Sequence, residues 1–172
     1  IIVSYNFERW ITPCLESLRA SEQRVSVLVI DNNSADRTVE RIKAEYPEVE
    51  LIENKENLGF GAANNLGFRK AIQENYDAVF LLNQDAWIDP KVIGTLSELS
   101  LKYPQYGVWS PVHLNGTGKE LDRGFSTYAK VSSLSEIPSA TDYVACSFIN
   151  AAFWFIPIRA LQTVGEFSPL FY

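Results

Sequence analysis

Apolar segments that each end in a cluster rich in Asn, Asp or Ser alternate with helix-forming segments over residues 1–112. Strands that alternate with helices predict right-handed crossovers and a mainly parallel sheet with helices on both faces. Ligands of such sheets bind beyond the carboxyl ends of the strands. The polar clusters follow four predicted strands, at residues 4–6, 31–34, 54–57 and 83–85. We therefore expect an α/β fold in which these clusters meet at one edge of the sheet and line a binding crevice.

The predicted strands are short runs of apolar residues. They cover residues 1–4, 25–31, 49–53, 78–83 and 107–112. A helix is predicted in each interval from apolar residues three or four positions apart, as at Ile11, Leu15 and Leu18. Asn33 or Ser34 is expected to cap the second helix, because both side chains can accept a hydrogen bond from an unpaired N–H group.

The alternation stops after Pro111. Residues 113–142 are rich in Gly and Ser and predict a long, partly irregular excursion. Excursions of that length within a compact domain are usually functional or mobile. An apolar segment over residues 143–157 follows, and then a short helix that Gly165 is expected to end.

Charge and cysteine content exclude several classes of function. The 172 residues fit one domain, and the net charge of −6 argues against a nucleic-acid surface, which needs a basic face. Cys14 and Cys146 are far apart and accompany one histidine, so a zinc site of the usual kind is excluded. Both cysteines are interpreted as buried apolar residues of a reduced, cytoplasmic protein.

No targeting or membrane-spanning segment is predicted, because no apolar run reaches the ~18 residues that cross a bilayer. The chain begins within a strand, contains no methionine and stops without a terminating turn. We interpret it as a piece of a longer protein.

The polar clusters carry side chains suited to a nucleotide diphosphate. Tyr5 can stack on a base, and Asp31 can accept a hydrogen bond from a base N–H. Asp85 can ligate Mg²⁺ or Mn²⁺, which prefer carboxylate and phosphate oxygens. Each residue also has a structural alternative: core packing for Tyr5, a turn for Asp31 and a solvated strand end for Asp85.

Other polar or aromatic residues favour structural roles. Asp89 stands before Pro90, as an N-cap stands before a first helical turn. His113 is interpreted as a loop residue without an obvious partner, and Trp154 as a core residue, with a place near an acceptor as its alternative. The glycine patterns of dinucleotide-binding and P-loop folds are absent, which excludes both.

Five segments, in order along nearly the whole chain, are familiar together: "IIVSYN", "VLVIDNNSADRT", "NLGFGAANNLGFRKA", "FLLNQDAWIDP" and "VGEFSPLFY". They resemble the family 2 glycosyltransferases, and within them the rhamnosyltransferase-like branch. The resemblance implies a GT-A fold, a nucleotide-diphospho-sugar donor, a saccharide or lipid-linked saccharide acceptor, and inversion at the anomeric carbon. It also implies one GT-A catalytic domain, incomplete at its C-terminal end, with a nucleotide-sugar-binding half (1–112) and an acceptor-side half (113–172).

The resemblance further implies roles for individual residues. The donor would contact Ser4, Tyr5, Asn6, Asp31, Asn57, Gly59, Asn65 and Asn83. Asp85 would hold Mg or Mn as the last acid of a D-x-D-type motif, whose first position is Asn83 here. The general base that deprotonates the acceptor hydroxyl would lie in a Glu-Asp motif beyond Tyr172.

The residues and the resemblance are compatible with two functions. One is a metal-assisted glycosyltransferase of surface polysaccharide synthesis, cytoplasmic and brought to the inner membrane face by a lipid-linked acceptor. The alternative is a catalytically inactive sugar-nucleotide-binding or scaffold module, because Asn83 replaces an acid. A nucleotidyltransferase is disfavoured, since the loop after the first strand offers Arg9 as its one basic residue.

Overall fold

The structure, a computed structural model, describes residues 1–137 and 143–168. Strands and helices alternate from β1 to α4, as the sequence predicts. The elements are β1 Ile2–Ser4, α1 Ile11–Arg19, β2 Leu28–Asp31, α2 Thr38–Glu45, β3 Glu50–Glu53, α3 Gly59–Gln73, β4 Ala78–Leu82, α4 Val92–Lys102, α5 Arg123–Ala129, β5 Phe153–Pro157 and α6 Ile158–Val164.

The first three strands form a parallel sheet in the order β1-β2-β3. Its register places Ser4 opposite Asp31 and Asp31 opposite Glu53. Strand β4 lies beside β1, because the Ile1 nitrogen donates to the Phe80 carbonyl and the Leu82 nitrogen donates to the Ile1 carbonyl, which is the bonding of a parallel pair. The carboxyl ends of β1, β2, β3 and β4 therefore meet at one edge, called the carboxyl edge below.

Alternate side chains of the strands face opposite helix layers. Ile2, Val29 and Leu82 pack with the apolar residues of α1, α2 and α4. Val79 and Leu81 pack with α3 and α6 on the other face, and Ile30 packs there against Ala63 of α3. The expected mainly parallel sheet with helices on both faces is confirmed.

The predicted strand at residues 107–112 is wrong. Trp109 alone in this range pairs with a strand, by one antiparallel bridge to Phe155 of β5. Pro111 has no N–H group and cannot extend the ladder. The neighbour of β4 is instead β5, which runs antiparallel and pairs Leu82 with Phe153.

Helix α2 begins later than predicted, and neither Asn33 nor Ser34 caps it. Asn33 has a left-handed backbone conformation with φ 64°, and Ser34 bonds to Asp31. The helix starts at Thr38, whose N–H and hydroxyl donate to the Asp36 carboxylate. Asp36 thus supplies an acceptor for the first N–H of the helix, although the N-cap position itself is Arg37.

The region after residue 112 is partly irregular, as expected, and holds α5 and a 3₁₀ turn at Leu134–Glu136. Residues 138–142 lie outside the described part of the chain. Cys14 is buried as expected, whereas Cys146 is exposed, so the prediction for Cys146 is wrong. Gly165 ends α6 as predicted, with φ 84° and ψ −164°, a conformation that is essentially confined to glycine.

The side chain of Leu81 offers a test of this packing, because it is 1% exposed between β4 and the α3–α6 layer. We expect Leu81→Ala to lower the free energy of unfolding by about 3 kcal/mol, through lost transfer energy and a residual cavity. Leu101→Ala, at a position that is 74% exposed, should change it by less than about 0.5 kcal/mol. Urea unfolding of both variants measures the difference, and equal effects would contradict the packing.

Candidate active site

The carboxylate of Asp31 is buried at the end of β2 and is 2% exposed. The Ser4 hydroxyl donates to Asp31 Oδ1 at 2.9 Å, across the parallel register of β1 and β2. The Ser34 N–H donates to Oδ2 at 2.9 Å, and the Ser34 hydroxyl donates to Oδ1 at 2.5 Å. A buried charge needs such donors, and Asp31 therefore organises the loop that follows its own strand.

Asn6 joins the loops after β1 and β2. Its N–H donates to the Ser34 hydroxyl at 2.8 Å, and its Oδ1 accepts from the Ala35 N–H at 2.9 Å. Its backbone is left-handed, with φ 52°, which asparagine tolerates better than most residues. The side-chain oxygen of Asn6 is thus engaged within the protein, and a contact with a donor stays a prediction.

Tyr5 is 48% exposed at the same edge, and its backbone is fixed by Gln84. The Tyr5 N–H donates to Gln84 Oε1 at 2.8 Å, and Gln84 Nε2 donates to the Tyr5 carbonyl at 3.2 Å. This pair ties the end of β1 to the end of β4. Asp31 bonds to Ser4, and Gln84 bonds to Tyr5, the residue after Ser4. Because Asp85 follows Gln84 in the chain, the two acids lie at the same edge of the sheet.

Asp85 is an exposed carboxylate, and the hydrogen bonds and ion pairs among residues 1–137 and 143–168 leave it unengaged. Asn83 is half-buried, and its N–H donates to the Ala152 carbonyl. No cluster of three or more His, Cys, Asp or Glu side chains that could hold a metal occurs in the described part of the chain. One carboxylate and one amide oxygen fit a hard divalent cation whose remaining ligands come from a diphosphate or water.

A second group of polar residues holds the beginning of α3 at the carboxyl edge. Asn57 Oδ1 accepts from the Gly59 N–H at 2.9 Å, and Gly59 has a positive φ of 77°. Asn32, which is 2% exposed, donates to the Gly59 carbonyl at 3.3 Å and accepts from Asn54 Nδ2 at 2.9 Å. The start of α3, which the sequence analysis predicts to bind the donor, is therefore fixed to the ends of β2 and β3.

Asn65 lies within α3, 7% exposed, and its amide is engaged elsewhere. Its Nδ2 donates to the Phe167 carbonyl, and its Oδ1 accepts from the Phe167 N–H, each at 2.9 Å. The structure thus gives Asn65 a partner in the protein, while its contact with a donor stays untested.

The residues at this edge to which the sequence analysis gave no role in the site are Gln84, Ser34, Asn32 and Asn54. All belong to the polar clusters at the strand ends, so the clustering pointed to them without saying which side chains turn inward. Asp89 bonds to the backbone, since its Oδ1 accepts from the Lys91 N–H, but it is not the predicted N-cap, because α4 begins at Val92 and its N-cap is Lys91.

Comparison with known sequences identifies the family of this chain. The sequence profile described as glycosyl transferase family 2 matches residues 1–162. The chain belongs to this family. It is 32% identical over 101 residues to N-acetylglucosaminyl-diphospho-decaprenol L-rhamnosyltransferase of Mycobacterium tuberculosis, covering 54% of this chain and 33% of that protein. It is 29% identical over 107 residues to glycosyltransferase GlyA of Streptococcus pneumoniae, covering 60% of this chain and 15% of that protein.

Solved structures show the same fold. Staphylococcus aureus TarS matches 97% of this chain and 29% of its own, with a TM-score of 0.73 and 16% identity. The mannosyltransferase PcManGT of Pyrobaculum calidifontis, in complex with GDP-Man and Mn²⁺, matches 97% of this chain and 46% of its own, with a TM-score of 0.68 and 22% identity. The fold is GT-A, as the resemblance implied. The chain thus spans about a third of the rhamnosyltransferase and less than half of either solved protein.

His113 lies in a loop, as interpreted from the sequence, but it is buried and has partners, which corrects the expectation that it lacks one. It is 5% exposed, with Nε2 2.8 Å from the Ser110 hydroxyl and Nδ1 3.4 Å from the Tyr128 hydroxyl. Its ring lies 4.7 Å from that of Phe153 at the start of β5. His113 therefore holds α5 against β5, beside the strand end that carries Asn83.

No helix among the described residues is long and apolar enough to cross a bilayer.

Burial lowers the pKa of His113 to about 4, although the nearby Asp122 charge opposes the effect. The unfolded chain, with a histidine pKa near 6.5, takes up its proton first as the pH falls. The stabilisation by neutral His113 is therefore complete above about pH 6.5 and is lost as the pH drops towards 4.

We expect the stability advantage of the wild type over His113→Gln to shrink by about 3 kcal/mol between pH 7 and pH 4. Comparison of the two proteins cancels the titration of other groups, including Asp122 and Tyr128. Urea unfolding at pH 7, 5.5 and 4 measures the difference. Parallel pH profiles for the two proteins would show that His113 is not held neutral by the fold.

Proposed function

We propose that the chain forms the donor side of an inverting glycosyltransferase, which moves a sugar from a nucleotide-diphospho-sugar to a hydroxyl of a growing saccharide in surface polysaccharide synthesis. The observation that carries the proposal is the Gln84 link. It holds the backbone of Tyr5, which follows the Ser4 that bonds to buried Asp31, beside the loop that carries the unengaged carboxylate of Asp85. A base, a diphosphate and a cation each have a suitable group at this edge.

The residues then have separate tasks. Tyr5 offers a face on which a base stacks. Asp31 Oδ2, which accepts one hydrogen bond from Ser34, keeps capacity to accept another from a base N–H. The loop from Asn57 to Gly59 approaches the sugar-phosphate part of the donor through the start of α3. These contacts hold the donor before the acceptor hydroxyl attacks.

Asp85 would hold Mg²⁺ or Mn²⁺, with Asn83 as a neutral neighbour. When bound, the cation supplies electrostatic stabilisation of the charge that develops on the departing diphosphate. Support comes from the donor chemistry of Asp85 and from PcManGT, whose structure contains Mn²⁺ and GDP-Man. The transferred sugar would be a rhamnosyl or hexosyl group, and the acceptor a saccharide or lipid-linked saccharide at the cytoplasmic face of a membrane. Support comes from the name of the mycobacterial relative, which gives L-rhamnose and a decaprenol-linked acceptor.

Donor binding is tested by the melting temperature of the full-length protein with Mn²⁺ and a panel of UDP-, dTDP- and GDP-sugars. A donor at ten times its Kd stabilises the fold by about 1.4 kcal/mol, which corresponds to a rise of roughly 3 to 6 °C. We expect such a rise for at least one donor, and transfer to a saccharide acceptor with inverted anomeric configuration by NMR. No rise with any donor would contradict the proposal.

The inactive module remains the second candidate, because Asn83 leaves the loop one acid fewer. It predicts the same rise in melting temperature without transfer to any acceptor. Donor binding with turnover therefore supports the enzyme, and donor binding without turnover in the full-length protein supports the module.

Asp85 is tested by the conservative change Asp85→Asn, which removes the charge and keeps the size. We expect the Mn²⁺-dependent part of the donor-induced rise to disappear, and kcat/KM to fall by at least about 100-fold, since the metal contributes several kcal/mol to the transition state. Asp89→Asn is the matched control, an acid of the same loop that bonds to the backbone before α4. It should lower the melting temperature slightly and keep the Mn²⁺ response. A Mn²⁺ response that survives Asp85→Asn would refute the assignment.

A further inference from the structure

Asn65 and Arg69 of α3 hold the chain segment that follows α6. Asn65 makes two hydrogen bonds with the backbone of Phe167, 102 residues away. Arg69 makes two with the carboxylate of Glu166, through Nε at 2.8 Å and a terminal nitrogen at 2.6 Å. These four bonds are called the clamp below.

The ring of Phe167 strengthens the attachment from both sides. It stacks on Phe68 of α3 at 5.6 Å with an interplanar angle of 15°, and on Trp154 of β5 at 6.0 Å with an angle of 9°. Phe60 meets its edge at 5.8 Å. Phe167 is therefore a wedge between the helix that begins at the donor side and the strand that follows the Asn83 contact at Ala152.

Gly165 directs the chain into this position. Its φ of 84° with ψ −164° is a conformation that residues with a Cβ rarely adopt, and it lets Glu166 and Phe167 turn towards α3 directly after α6. Glu166 and Phe167 are thus fixed in three ways: by the conformation of Gly165 before them, by the buried amide of Asn65 and by the bidentate ion pair with Arg69.

The donor-side residues on β1 and β2 do not depend on these contacts. Asp31 is held by Ser4 and Ser34, and Tyr5 by Gln84, all at the carboxyl edge. The clamp attaches α3, with Gly59 at its start, to the 165–168 segment, whose Phe167 packs on Trp154 of β5. Loss of the clamp should therefore change the geometry between the two sides of the site more than the affinity for the base.

We propose that Asn65 is a positioning residue, which couples the 165–168 segment to both sides of the site through the clamp and thereby sets the rate of sugar transfer. The inference rests on the proposed glycosyltransferase function. It replaces a direct donor contact of Asn65 by an action through Phe167.

The test uses the full-length protein with Asn65→Leu, which keeps the size of the side chain and removes both hydrogen bonds. We expect kcat to fall at least tenfold, while the Kd of the nucleotide-sugar changes by less than twofold. Amide hydrogen exchange of the peptide that covers residues 165–168 should become at least tenfold faster. Asn64→Ala is the matched control, because this buried amide of the same helix bonds to the Phe60 carbonyl in the preceding turn. It should lower the melting temperature and leave kcat and this exchange rate unchanged.

A charge exchange keeps the test decisive if Asn65→Leu does not fold. Arg69→Glu should lower kcat about threefold and speed exchange at residues 165–168, and the double variant Arg69→Glu with Glu166→Arg should restore both. A raised donor Kd in Asn65→Leu would make Asn65 a donor contact and overturn the proposal. A lower melting temperature with unchanged kcat in the folded variant would show that the clamp only stabilises the fold, and would also overturn the proposal.

The outcome is separable from the proposed function. A wild-type protein that binds no nucleotide-sugar contradicts the function, whereas an exchange rate at residues 165–168 that does not respond to Asn65→Leu or to the charge exchange contradicts the clamp. Wild-type transfer with normal kcat in all clamp variants supports the function and refutes the coupling.

Discussion

The buried charge of Asp31 governs the arrangement of the carboxyl edge. A carboxylate that is 2% exposed is unfavourable by several kcal/mol unless donors surround it, and the fold supplies the Ser4 hydroxyl together with the N–H and hydroxyl of Ser34. Because Ser34 lies in the loop after β2, satisfying Asp31 fixes that loop. The same Ser34 hydroxyl accepts from the Asn6 N–H, so the loop after β1 is fixed with it.

The remaining strand ends are joined by bonds of the same kind, in which one side chain pairs with the backbone or amide of the neighbouring loop. Gln84 hydrogen-bonds to both the N–H and the carbonyl of Tyr5. Asn32 accepts from Asn54 and donates to the Gly59 carbonyl. Amide side chains suit this task because each offers a donor and an acceptor at once. The abundance of asparagine at the carboxyl edge thus has a structural cause besides any contact with ligand, because these side chains fix the loops relative to one another.

The sequence predicted the part of the fold that local patterns encode. Apolar runs of about five residues between amphipathic segments were enough for β1 to α4, and the polar strand ends predicted a candidate site at the edge where these strands do meet. The orientation of β5 was not predictable, because a short apolar run reads the same in parallel and antiparallel pairing, and its partner β4 lies about seventy residues earlier. Nor could spacing reveal that the amide of Asn65 faces Phe167, or that His113 packs on Phe153, since both contacts depend on the docking of distant elements.

The change from an acid to Asn83 has a further consequence under the proposed function. Asp85 is the one acid among residues 83–85, and a lone exposed carboxylate holds a divalent cation weakly in water. A diphosphate adds oxygen ligands and negative charge at the same place, so the cation and the nucleotide-sugar each raise the affinity for the other, by an equal factor. Under the proposed function, such a site would take up the cation together with its donor and would discriminate against free nucleosides, which carry a base for Tyr5 and lack the phosphate oxygens. The single acid of residues 83–85 would thereby link metal occupancy to the presence of a ligand that carries a diphosphate.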